Sequence, residues 1–296
     1  MSKISAISGR VLYNSRGSKT IEVDVVSDEK FIGRVCAPSG ASVGKFEAVS
    51  FPNNSPEESL SILNQNSEKF IGIDSNDLKQ VHDVIHSIDD TDNYAKIGGA
   101  CAFAITIATT ESAAKVENKQ FFQMINSKSD LKFPFPLGNI LGGGAHAGPG
   151  TPDIQEILVV SIGAKSVRES IDMNLQVHKE LKKLILKGDP TFTNGRGDEG
   201  GWSPKFNNEE ALDISVKAIE NLGFTLGKEV ALGVDFASST QWNEEKGKYV
   251  YDRAGFENDS GEQIEFASGI IDKYKLIYAE DAVHEEAFED MAELTK

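Results

Sequence analysis

The second half of this chain alternates apolar runs with helical stretches, and two of the runs close on an acid. From Pro136 the pattern reads as a strand over 136–141, a strand over 154–162 and a helix capped by Ser166 that continues to about residue 187. A further helix over 209–222 is closed by Gly223. A buried-type strand comes next over 230–235, ending in Asp235. A short hairpin near Lys246-Gly247, a helix over 261–274, a strand over 275–280 ending in Glu280, and a helix starting near Glu285 complete the pattern. Such alternation predicts a mainly parallel sheet with helical crossovers, either open or closed into a β/α barrel. Open sheets that bind dinucleotides carry G-x-G-x-x-G after a strand, and no strand read in this sequence is followed by one. Acids at the carboxyl ends of strands favour the barrel, which places its chemistry there.

The first half reads differently. Thr20-Ile21-Glu22-Val23-Asp24-Val25 alternates with period two, Ser27-Asp28-Glu29-Lys30 is turn chemistry, and Phe31 to Val35 resumes the strand. This predicts a small antiparallel meander. Helices come after it: one opened by Ser55-Pro56-Glu57-Glu58, read as a capping box with Pro at the first helical position, then 78–88 and 100–115. Ser127, Lys128, Ser129, Asp130 and Lys132 form a polar link. The expected domains are therefore 1–127 and 134–296, in keeping with a length of 296 residues.

The formal net charge of −16 argues against a nucleic-acid or anionic membrane partner, both of which need clustered Lys and Arg. The start of the chain has no apolar signal-peptide core, and no stretch approaches the ~20 apolar residues of a membrane span. Cys36 and Cys101 have no metal-ligand spacing and read as free thiols. The expected location is the cytoplasm.

Four segments carry candidate chemistry. Asp235 and Glu280 lie about one βα unit apart, so neighbouring strands would bring them to one mouth; oxygen ligands of this kind suit Mg²⁺. Either acid alone also reads as a cap for the next helix or loop. Gly195-Arg196-Gly197-Asp198-Glu199-Gly200-Gly201 sets a carboxylate pair among glycines, which let backbone approach a ligand; the plainer reading is a surface loop, although Trp202 argues for packing. Gly142 to Gly148 carries His146 and is succeeded by Gln155-Glu156. A histidine among glycines can meet a phosphate, though most lone histidines are structural. Pro38 to Lys45 superficially resembles a phosphate loop but lacks its spacing, and reads better as a lid.

Taken together, Ser15-Arg16-Gly17, the loop from Pro38 to Gly44, Gly143 to Gly148 with Gln155-Glu156, Gly197 to Gly201, and Asp235-Phe236-Ala237-Ser238-Ser239 resemble enolase segments in the family's order and at nearly its spacing. The similarity covers essentially the whole chain. It implies an α/β fold, with a small α+β N-terminal capping domain followed by a partial, about half, β/α barrel. It implies a Mg²⁺-dependent lyase of glycolysis that dehydrates 2-phosphoglycerate to phosphoenolpyruvate, with two Mg²⁺ per site in the full-length family. Glu199 matches the proton donor, Glu156 its acidic partner, Gln155 a substrate contact and His146 the loop histidine that closes on substrate. Asp235 and Glu280 match two of three ligands of the tightly bound Mg²⁺, and Ser42 matches the lid ligand of a second. A homo-oligomer, at least a dimer, is implied, with Ser15-Arg16-Gly17 near the contact. The chain resembles about the first two-thirds of the family's length. The family's third Mg²⁺ ligand and its lysine base come from strands after the one ending at Glu280. The expectation is a truncated record of an active enzyme, with the 296 residues alone inactive; the alternative is a short, non-catalytic protein that binds a metal or a partner.

Overall fold

The computed structural model describes residues 2–40, 43–126, 128 and 131–296. The chain forms two compact units, 1–131 and 132–296.

In the first unit, β1 (Ile4–Tyr13), β2 (Lys19–Ser27) and β3 (Phe31–Cys36) pair antiparallel in that order. The period-two pattern is realised in β2. Ile21, Val23 and Val25 are fully buried, while Glu22 and Asp24 face the other way and meet Arg10 and Arg34. The Arg34 guanidinium, 2.7 and 2.8 Å from Asp24, holds that carboxyl below its usual range. Helices α1 (Pro56–Asn66), α2 (Leu78–Ile88), α3 (Gly99–Val116) and α4 (Phe121–Ile125) come next. The expected capping box at Ser55 is half made. Ser55 accepts from the Glu58 amide, but the Glu58 carboxylate accepts from Asn53 instead. Helix α3 lies close on the sheet: a Cβ at Gly33 would stand 1.8 Å from the carbonyl oxygen of Ala108. The small side chains of α3 permit that approach.

The second unit contains a four-stranded sheet, β10-β6-β5-β4, built from β4 (Leu137–Gly142), β5 (Glu156–Val160), β6 (Ala231–Asp235) and β10 (Tyr278–Glu280). Helices α5 (Val167–Gly188) and α6 (Asn208–Asn221) connect β5 to β6, and α7 (Ser260–Tyr274) precedes β10. A separate hairpin sheet consists of β7 (Trp242–Asn243), β8 (Lys248–Tyr251) and β9 (Phe256–Asn258); α8 (Phe288–Thr295) comes last. Helix α5 buries Met173, Val177, Leu181 and Ile185, a stripe with one residue per turn, in one cluster with Ile157 and Val159 of β5 and Leu232 and Val234 of β6. Fully burying such a side chain stabilises by about 1.5–3 kcal/mol. The architecture is a small α+β domain followed by an open, partial β/α barrel.

The sheet corrects one expectation. The strand–helix alternation predicts a mainly parallel sheet, but only β10–β6 is parallel; β4–β5 and β5–β6 are antiparallel. The connections explain this. The link from β4 to β5 contains no long helix, and the link from β5 to β6 contains two. Two successive helical passes return the chain to the end it left, whereas the single helix α7 between β6 and β10 gives a parallel pair. As a result β5 begins at the edge where β4, β6 and β10 end.

Candidate active site

That edge gathers the acids into one row. Gly142 pairs with Glu156, Glu156 with Asp235, and Asp235 with Glu280, across four neighbouring strands. Neighbouring strands lie about 4.8 Å apart, so the three acidic residues stand side by side along the sheet edge. Glu156 and Asp235 are 8% and 7% exposed.

Each acid is held by its surroundings. Asp235 accepts from the Ala237 amide at 2.9 Å and from Gln155 Nε2 at 3.0 Å. Glu280 accepts from the Tyr278 hydroxyl at 2.8 Å; the two residues are one strand period apart. The turns after β6 and β10 interlock, with Phe236 N donating to Glu280 O and Ser238 N to Asp281 O. Ala237 and Asp281 both adopt positive φ, +47° and +45°, a costly conformation for residues with a Cβ.

Glu199 arrives on the loop between α5 and α6, which is stitched to β4: Trp202 N donates to Ile140 O and Gly142 N to Trp202 O. Within the loop, Gly197 N donates to Gly201 O and Gly200 N to Gly197 O. Trp202 is packed, in keeping with its position after the glycines. Its Nε1 donates to His178 O at 2.8 Å and its ring stacks on His178 at 4.6 Å. His178 Nε2 in turn lies 3.0 Å from Gly200 O. Asn139 Nδ2 is 3.4 Å from Glu199 Oε2. A Cβ at Gly201 would stand 2.2 Å from the Asn139 side-chain oxygen, so the loop can sit this close only with glycine there.

His146 comes from the loop between β4 and β5. Its Nδ1 is 3.2 Å from Glu156 Oε1 and 4.0 Å from Glu199 Oε1. The approach to Glu156 is not aligned as a hydrogen bond, and Nδ1 is left buried without one. His146, Glu156 and Glu199 each offer a ligand atom within 4.8 Å of the others. The Glu199 side chain is 42% exposed, whereas that of His146 is 7% exposed. Glu199 is the reachable member and the other two lie behind it.

The electrostatics are a result of this crowding. Burial pushes the Glu156 carboxyl up to about 8, with a hydrogen bond to Glu199 and repulsion from Glu199, Asp235 and Glu280 adding to it. A hydrogen bond between two carboxyls requires a proton, so this crowding favours keeping one on the pair. Burial also raises Asp235, to about 6, helped by Glu280 and Asp281 and opposed by Gln155 and the Ala237 amide. An acidic row of this kind fits a hard divalent cation: the donors are carboxylate oxygens, and a cation would offset both the burial of Asp235 and the repulsion that Glu280 and Asp281 add to it.

Comparison with known proteins identifies the family. Residues 4–125 match the family profile described as enolase, N-terminal domain, and residues 130–296 match enolase, C-terminal TIM barrel domain. The chain belongs to the enolase family. It is 42% identical over 287 residues to the enolase of Methanosphaera stadtmanae, a span that covers 97% of this chain and 69% of that relative. The same figures hold for the enolase of Methanothermobacter thermautotrophicus. Identity to the enolase of Pyrobaculum aerophilum is 36% over 291 residues, covering 96% of this chain and 69% of that relative.

Of the seven residues singled out in the sequence, the structure brings six to one edge: Gln155, Glu156, Asp235, Glu280, Glu199 and His146. Ser42 lies outside the described residues. Sequence reasoning missed Tyr278, Asn139 and His178. Tyr278 was recoverable, because residues two apart on a strand share a face. The other two act across 22 and 60 positions of sequence, and nothing local marks them.

Proposed function

We propose that this chain serves the reversible, Mg²⁺-dependent dehydration of 2-phosphoglycerate to phosphoenolpyruvate in glycolysis and gluconeogenesis. Residues 1–127 act as the capping domain and 134–296 as the catalytic domain. The observation that carries the reading is geometric: Glu156, Asp235 and Glu280 stand in register at one strand edge, with His146 and Glu199 gathered at Glu156.

Loss of the 3-hydroxyl needs a general acid, because hydroxide is a poor leaving group. Glu199, the exposed member, delivers the proton to that oxygen; the C–O bond breaks and water departs. Glu156, buried behind it, keeps the pair protonated. The electron pair left at C2 becomes the new double bond. Asp235 and Glu280 would hold Mg²⁺, and Ser42 a second ion. Bound there, the metal stabilises the negative charge that develops on the substrate carboxylate. Gln155 orients Asp235 and faces substrate, and His146 meets the phosphate side.

Removal of the C2 proton is assigned to no residue of 1–296. The resemblance places that lysine on a strand after the one ending at Glu280. A polypeptide of residues 1–296 tested alone is therefore expected to bind Mg²⁺ and 2-phosphoglycerate without turning it over. A metal-binding role without catalysis draws on the same row of Asp235 and Glu280, which gathers cation ligands whether or not a base is present. A cytoplasmic location and a homo-oligomer belong to the same proposal; no helix among the described residues is long and apolar enough to cross a membrane.

Calorimetric titration with Mg²⁺, then with 2-phosphoglycerate, tests the binding half, and ultraviolet detection of phosphoenolpyruvate tests turnover. Failure to bind Mg²⁺ would sink the assignment of Asp235 and Glu280. Turnover by residues 1–296 alone would contradict the placement of the base outside them.

A further inference from the structure

Arg253, between β8 and β9, directs its guanidinium at the loop that carries His146. Nη1 donates to Pro152 O at 2.8 Å, Thr151 Oγ1 at 2.7 Å and Thr151 O at 3.3 Å. Nη2 donates to Gly144 O at 3.0 Å. One side chain thus fastens both ends of the loop between β4 and β5. The loop answers with Asp153, whose two carboxylate oxygens accept from the Arg253 and Ala254 amides at 3.1 and 3.0 Å. Gly144, Thr151, Pro152 and Asp153 are buried while Arg253 itself is exposed, so the loop side of these bonds is shielded from water. Bonds in which the donor or the acceptor carries charge are roughly twice as strong as neutral ones, and every bond of this set has a charged partner.

The placement matters because His146 stands two residues after Gly144, and Gln155 two residues after Asp153. We propose that Arg253 is a positioning residue of the active site, which with Asp153 as its counterpart sets where the His146 and Gln155 side chains stand. Arg253 belongs to a hairpin with an apolar cluster of its own, around Tyr249, Tyr251 and Val283. The hairpin is therefore a brace outside the barrel sheet, and Arg253 is its grip on the loop. The inference rests on the reading of His146 and Gln155 as substrate-facing residues.

Isotope-labelled protein of residues 1–296 provides the test, with Arg253→Met, Arg253→Lys and Asp153→Asn variants. The Gly143 and Gly144 amides bond within the loop, to Gln155 O and Pro152 O, and their exchange with solvent reports loop opening. In Arg253→Met these two amides are expected to exchange about tenfold faster or more, on the scale of losing one charged hydrogen bond. The amides of β5 keep their rates, and the His146 ring resonances move. Asp153→Asn shows the same pattern more weakly. Arg253→Lys falls between, because one ammonium cannot span the fork from Gly144 to Pro152. Unchanged Gly143 and Gly144 exchange with unmoved His146 resonances in Arg253→Met would overturn the proposal. So would an equal loss of protection in β5 and β6, which would make Arg253 a general support of the fold. Binding of Mg²⁺ and 2-phosphoglycerate by the unsubstituted protein is measured alongside. Its absence would overturn the functional reading while leaving the loop result to be judged separately.

Discussion

Glu156 opens β5 directly opposite Asp235, which closes β6. Two buried carboxyls so placed resist losing their protons together, and their titration should be felt by the whole fold. In the folded protein Glu156 is raised to about 8 and Asp235 to about 6, while in the unfolded chain both titrate near ordinary carboxylate values. The folded state therefore holds protons that the unfolded state has released. That contribution to stability is complete below about pH 4, falls as pH rises, and is gone above about pH 8. Urea unfolding without metal should show a decline on the order of a few kcal/mol between pH 5 and pH 8 from these groups. Burial depresses His178, which works in the opposite direction below its ordinary value, so the decisive comparison is with Glu156→Gln. That variant should flatten the slope; an unaltered slope would contradict the assignment.

Mg²⁺ should reverse this cost. A ligand that binds only the folded state stabilises by RT ln(1 + [L]/Kd), about 2.7 kcal/mol at a hundredfold excess over Kd. The unfolding temperature should rise with Mg²⁺ at pH 8 and rise less below pH 6, where protons compete for Asp235. Asp235→Asn and Glu280→Gln should each abolish most of the rise. Equal responses in all three proteins would place the ion elsewhere.

Trp202 is predicted to anchor the Glu199 loop. Replacement by Phe keeps an aromatic ring but removes the Nε1 bond to His178 O. It should cost about 1–2 kcal/mol in urea unfolding. It should also raise amide exchange at Gly197 and Gly200, whose bonds close the loop. A loss of stability without faster exchange there would mean that the ring supports the core alone.

Gly233 makes a quieter prediction. A Cβ there would stand 3.0 Å from the Tyr278 Cβ and 3.4 Å from its ring, tighter than ordinary contact. Gly233→Ala should displace Tyr278, whose hydroxyl bonds Glu280, and so weaken Mg²⁺ binding by a fewfold with little change in secondary structure. Mg²⁺ affinity equal to that of the unsubstituted protein would show that Tyr278 can give way without moving Glu280.

Much of this arrangement was legible in the sequence, and the limits are physical. Apolar runs ending in acids placed β6 and β10, and their separation by one βα unit anticipated that Asp235 and Glu280 would be neighbours. The direction of β5 was not legible. It depends on whether one helix or two lie between strands and on how those helices run, which no local pattern of residues 154–162 records. The long contacts of Arg253, His178 and Asn139 were invisible for the same reason. Each is an ordinary polar residue until the fold brings its partner across.

The strand register has one more consequence. The interval between Glu156, Asp235 and Glu280 is set by main-chain hydrogen bonds, which take no notice of which aliphatic side chains fill the strands. Ile157, Val159, Leu232 and Val234 can therefore exchange for other apolar residues over time without altering the spacing of the charges. A site built on such a ruler can outlast extensive divergence in the sequence around it.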